Sequence, residues 1–202
     1  MPIGRWDEAI SLPGAIRFPI EMIPPADFDP EDLASWPRVA GRLEFVNGRL
    51  WYMPPCGDEQ QDTVADVVIT LGAWVRQHPE FVIGTNEAGM RLGGASRGAD
   101  AAVWRRSDLG ARTGGFRRHP PLLAVEVAGI DDTEEYLRDK ARWYLEVGVR
   151  TVWIVLPQTR EVLVIAPGVE SRHGADTKLP EPSELPGLSP AVRELFVQLD
   201  TP

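Results

Sequence analysis

Three charged side chains of this 202-residue chain stand in apolar surroundings, where an unpaired charge is costly. Glu126 is the one polar residue of Leu122-Leu123-Ala124-Val125-Glu126-Val127-Ala128, and Asp100 is alone among Ala99, Ala101, Ala102, Val103 and Trp104. Lys140 lies in a stretch of helical period. At about 100° per residue, Glu135, Asp139, Arg142 and Glu146 define a wet face, and Lys140 falls opposite them with Tyr136, Leu137 and Tyr144. Its type is also a signal: of 21 basic residues only Lys140 and Lys178 are lysine.

Buried carboxylates either give up their charge or acquire a counter-charge. Two of them converging at strand ends suit a divalent cation, Mg²⁺ or Mn²⁺, which takes few carboxylates and keeps positions open for phosphate oxygens. Such a site polarises a phosphoryl oxygen and acidifies water, and a nearby lysine orients that water or offsets charge growing on the phosphate. Taken singly, each residue has an ordinary reading. A strand acid sits at an edge or pairs with arginine, an inner-face lysine snorkels to water, and Glu44 is half of a hairpin surface pair. Taken jointly, an acid, an acid and a lysine on core elements point to phosphodiester hydrolysis.

The elements that must position them are legible. Leu43-Glu44-Phe45-Val46 and Arg49-Leu50-Trp51-Tyr52 flank Asn47-Gly48, the signature of a two-residue type I′ hairpin, with Glu44 opposite Trp51. From Asp58 to Gln77, Val64, Val67, Val68, Leu71, Trp74 and Val75 recur at helical spacing. Short strands are expected at 81–83, 88–92 and 99–104, then an Arg/Gly-rich loop to Pro121 and a buried central strand over 122–128. Asp131, Asp132 and Thr133 offer N-caps to a helix that carries Lys140 and ends at Gly148. Strands follow at 151–156 and 161–165, and a last short helix after Ser189-Pro190 carries Val192, Leu195, Phe196 and Leu199. The class is α/β (α+β), a mixed sheet with a helix on each face. Residues 1–38 read as an arm packing on the domain, 39–168 as the core, and 169–202 as a C-terminal extension.

Composition narrows the function. A net charge of −9 argues against a chain whose main affinity is for the phosphate backbone, though Arg105, Arg106, Arg112, Arg117 and Arg118 form one local basic stretch. That stretch reads either as a solvated loop or as nucleic-acid contact. Cys56 is alone, and His78, His119 and His173 are scattered, so neither a disulfide nor a zinc site is expected. No apolar run is long enough to cross a bilayer, and no basic-then-apolar leader opens the chain, so a soluble cytoplasmic protein is expected.

With these residues in place, the stretch from about Leu43 to Gly168 resembles the Uma-two family of restriction-endonuclease-like proteins, a branch of the PD-(D/E)XK nucleases. The matching pieces are Leu43 to Leu50, Ala99-Asp100, Val125-Glu126-Val127, Lys140 with Tyr144, Gly148-Val149 and Trp153-Ile154-Val155. Leu185-Pro186-Gly187-Leu188 before Leu195-Phe196 is similar as well. The resemblance implies a restriction-endonuclease-like mixed sheet flanked by helices, with an N-terminal β-hairpin and a metal set of Asp100, Glu126 and Val127. It further implies that the catalytic lysine has moved to Lys140, leaving Ala128 in its usual place, with Glu44 at the site edge. Ala99 stands where the family has proline. Gln60 stands where it often has histidine, and an amide hydrogen-bonds phosphate or water but does not shuttle protons.

The resemblance makes DNA the substrate and a metal-dependent endonuclease the leading reading. A catalytically impaired nuclease fold kept for binding or assembly is a second, and a small-molecule phosphodiesterase a third. A homodimer would suit an enzyme that cuts both strands.

Overall fold

The computed structural model describes residues 18–200. Strand β1 (Ile20–Met22) pairs with β3 (Arg49–Met53), which forms a hairpin with β2 (Arg42–Val46). Asn47 and Gly48 take φ values of 50° and 79°, as a type I′ turn demands, and Glu44 lies opposite Trp51. Helix α1 (Asp58–Gln77) follows, with Asp58 and Glu59 in its first turn, where the helix dipole favours acids. Next come β4 (Phe81–Leu92), β5 (Ala95–Arg105), β6 (Leu123–Val127), α2 (Glu134–Glu146), β7 (Thr151–Leu156), β8 (Glu161–Ala166) and β9 (Val169–Gly174).

These strands form one sheet in the order β1-β3-β2-β5-β6-β7-β8-β9, with β4 along the other side of β5. Every pairing is antiparallel except β6 with β7, whose crossover is α2. Side chains of the central strands alternate between two cores. Val67, Leu71 and Trp74 of α1 pack with Ala101, Val103, Val125 and Trp153 on one face. Leu137, Ala141 and Tyr144 of α2 pack with Ala102, Trp104, Ala124 and Ile154 on the other. The fold is thus a mixed α+β sheet with one helix on each face. Thr133 is the N-cap of α2, accepting from the Tyr136 N–H, and Gly148 closes the helix at φ 103°.

Several expectations differ from the structure. The strands expected at 81–83 and 88–92 are one strand, broken by a bulge between Thr85 and Ala88 where Glu87 takes φ 58°. The sheet extends past both boundaries expected for the core, at 38 and at 168, since β1 lies before the first and β9 after the second. As an edge strand with no buried residue, β9 carries no apolar alternation to betray it. The helix expected after Pro190 is instead two short 3-10 turns, Val192–Leu195 and Gln198–Asp200. Leu179, Leu185, Leu188, Val192, Leu195 and Phe196 nonetheless fill the core beneath α1. Of the N-terminal arm, residues 1–17 lie outside the described residues.

Candidate active site

Strand β5 pairs with β4 along nearly its whole length, but its other edge is shared. There β2 meets it only at Ser96, and β6 only from Ala101 to Val103. From Arg97 to Asp100 that edge has no strand partner, and its backbone groups need others. Side chains supply them: the Gly98 N–H donates to Glu44 Oε1 at 3.2 Å, and Lys140 Nζ donates to the Gly98 carbonyl at 3.0 Å. The expected site residues gather at this opening in the sheet.

Lys140 is 1% exposed and makes three contacts: Gly98 O, Glu126 Oε2 at 2.9 Å and Glu44 Oε1 at 3.0 Å. An ammonium has three donors, so all are committed, and the side chain does not snorkel. The other Glu126 oxygen accepts from the Tyr144 hydroxyl at 2.6 Å. Asp100 Oδ2 accepts the Val127 N–H at 2.7 Å, and Gln60 Nε2 donates to the Val127 carbonyl at 2.8 Å. Two hydrogen-bonded groups result, Asp100 with Val127 and Gln60, and Lys140 with Glu126 and Glu44, adjoining where Glu126 precedes Val127 in the chain. Glu44 corrects the surface-pair reading. Its backbone pairs with Trp51, but its side chain is fully buried, because that strand face looks into the opening rather than into water.

Charge is balanced unevenly. Burial pushes Glu44 up, but Lys140, Arg97 and Arg42 together hold it below the ordinary carboxylate value. Burial pushes Asp100 up to about 6, with Arg42 partly opposing. It pushes Glu126 up to about 7, because Lys140 alone faces it closely while Asp100 adds a like charge. Both neighbouring acids are thus harder to ionise than exposed carboxylates, and a cation between them would favour their charged forms.

Sequence reasoning missed three members. Arg42 Nη1 lies 2.6 Å from Glu87 and 3.6 Å from Asp100. Arg97 sits between the Trp51 and Trp143 rings, 5.4 and 5.0 Å from their centroids, with Nη1 3.6 Å from Glu44. Arg42 was within reach of a sequence argument, being two residues from Glu44 on one strand face. Glu87 was not, because the bulge that aims it has no residue signature. The Arg/Gly-rich stretch is largely spoken for. Arg105 and Arg117 lie over Phe81 and Trp104, Arg106 donates to the Pro79 and Phe81 carbonyls, and Arg118 pairs with Glu31.

A cavity of about 540 Å³ opens beside the cluster, lined by Arg42, Gln60, Glu87, Gly98, Asp131 and Asp132 among others. Among the described residues no group of three or more His, Cys, Asp or Glu is arranged to hold an ion. The set on offer is two carboxylates and a peptide carbonyl, all oxygen, which fits a hard divalent cation. Among the described residues no hydrogen bond reaches Asp100 Oδ1, and Arg42 Nη1 lies 3.6 Å from it. The Val127 carbonyl keeps a second lone pair beyond the one Gln60 takes. Asp100, Glu126 and the Val127 carbonyl would hold such an ion.

Comparison with known proteins bears on this geometry. The family model Uma2, described as "Putative restriction endonuclease", matches residues 30–198. No curated protein matches the chain in sequence. A solved structure described as a "putative nuclease belonging to DUF820", from Anabaena variabilis, superposes with a TM-score of 0.73 at 18% identity. The match covers 82% of this chain and 96% of that one, and at such identity it shows a shared fold. No helix among the described residues is long and apolar enough to cross a membrane.

Proposed function

The chain belongs to the Uma2 family, and from that premise we propose that it is an endonuclease hydrolysing phosphodiester bonds of DNA with Mg²⁺ or Mn²⁺. One observation carries the reading: Asp100 accepts the Val127 N–H and Gln60 holds the Val127 carbonyl, next in chain to the buried Glu126, beside a cavity of about 540 Å³. Asp100 and Glu126 would hold the ion, and Gln60 fixes the Val127 carbonyl that would join them. The ion, when bound, supplies Lewis-acid polarisation of a phosphoryl oxygen. Lys140 is a positioning residue: with every donor used inside the protein, it holds Glu126 and Glu44 in place rather than touching water or substrate. Tyr144 sets the Glu126 carboxylate from the other side. DNA as the substrate comes from the family description, since the cavity itself carries Glu87, Asp131 and Asp132.

The fully committed Lys140 and the amide at Gln60 favour a second reading, a nuclease fold kept for binding without turnover. Supercoiled plasmid incubated with Mg²⁺ or Mn²⁺ separates the two. Metal-dependent nicking by the wild type and none by Asp100→Asn is expected. Plasmid binding with no nicking at any metal concentration would support the second reading, and hydrolysis of small phosphodiesters alone would make the chain a small-molecule phosphodiesterase.

A further inference from the structure

We propose that Arg42 is the side chain that receives the substrate phosphate, an inference that rests on the phosphodiester reading above. The group expected to meet the phosphate, Lys140, has no donor left and lies 1% exposed beneath the cluster. Arg97 is held between two indole rings and turned to Glu44. Arg42 differs from both. It lines the cavity with part of its side chain exposed, and one nitrogen, Nη1, carries both of its ion pairs. Among the described residues no acceptor meets Nε or Nη2, and Nε is buried. A guanidinium presents five donors in a planar fork that matches a phosphate through two parallel hydrogen bonds. With Nε buried, the fork a phosphate can reach is the Nη1/Nη2 end of Arg42, where the half-exposed Glu87 now sits, and Asp100, the proposed metal ligand, is 3.6 Å from the same Nη1.

The surroundings are built to hold this arginine in reserve. Glu87 reaches it from the bulge of β4, in a left-handed backbone conformation that a glutamate adopts only when its neighbours enforce it. The bulge lies close against Gly98 of β5, where a Cβ would come within 3.1 Å of the Glu87 carbonyl. Glu87 is itself about half exposed, so the pair is one that a phosphate can compete for without uncovering a buried charge. Glu87 is thus a temporary counter-ion, and Arg42 exchanges it for the phosphate as substrate enters.

The test is binding of a short fluorescent DNA duplex in chelator, followed by anisotropy over a range of salt. Arg42→Met is expected to weaken binding several-fold and to reduce the slope of log affinity against log salt by about one, with Arg42→Lys intermediate. Glu87→Gln is expected to tighten binding more than Glu135→Gln, the same charge change on the far wet face of α2. Thermal unfolding establishes that each variant is folded. Unchanged affinity and slope in a folded Arg42→Met would overturn the proposal. If that variant fails to fold, equal effects of Glu87→Gln and Glu135→Gln overturn it instead. The readout is separate from cleavage: a wild type that binds through Arg42 but never nicks DNA removes the nuclease reading and leaves the phosphate contact standing.

Discussion

Removing the Lys140 ammonium would leave Glu44 and Glu126 buried without their shared cation and the Gly98 carbonyl without its donor. Breaking a buried ion pair from one side typically costs about 3–5 kcal/mol. Lys140→Met is therefore expected to lower unfolding free energy by about that much in denaturant titration, whatever it does to turnover. A loss below about 1 kcal/mol would mean the three contacts are not held in solution. The acids give a second test. In the folded chain Asp100 and Glu126 lie at about 6 and about 7, above their ordinary 3.8 and 4.5. Their stabilising contribution is full below the ordinary values and is lost as pH rises through 6 and 7. Glu44 has the opposite sign and loses its contribution only in acid. In chelator, melting temperature should fall between about pH 4 and pH 7, and Glu126→Gln should flatten the fall. A rise over that window in the wild type would contradict the assignment. Asp100, Glu126 and Lys140 were legible because a charge in an apolar run needs a reason. How Lys140 spends its donors was not, because that depends on the edge β5 exposes where β2 and β6 part.

At the scale of elements, turn chemistry and periodicity carried the reading. Asn47-Gly48 announced the hairpin that holds Glu44, apolar spacing gave both bounds of α1, and Gly148 marked the end of α2. What escaped was held by contacts distant in sequence. The tail beyond Pro167 reads as polar, yet Asp66 of α1 accepts the Gln198 N–H at 2.8 Å and its side-chain amide at 3.1 Å. Those bonds fasten the last turns over the core. Asp66→Ala leaves the Gln198 donors unpaired and should cost about 1–3 kcal/mol while opening the tail to limited proteolysis. Cleavage at the wild-type rate would show that the apolar side chains alone hold the tail. The bulge in β4 was hidden in the same way: it places Glu87 against Arg42, and its cause is the paired strand rather than its own residues.

For the molecule as a whole, the charge of −9 and the acids at the cavity set how substrate arrives. Most of the arginines that might have drawn in a polyanion are spent on carbonyls, aromatic rings and Glu31. Encounter with DNA is therefore expected to be weak without divalent cation and to fade further as salt rises. The endonuclease reading turns on whether Asp100 and Glu126 hold an ion. Calorimetric titration of Mg²⁺ and Mn²⁺ into wild type and Asp100→Asn, near neutral pH and with and without a DNA duplex, asks this directly. Saturable binding to one site in the wild type, at least about tenfold weaker in Asp100→Asn, is the expected result. Identical isotherms for the two proteins, or no binding to the wild type even with DNA present, would contradict it.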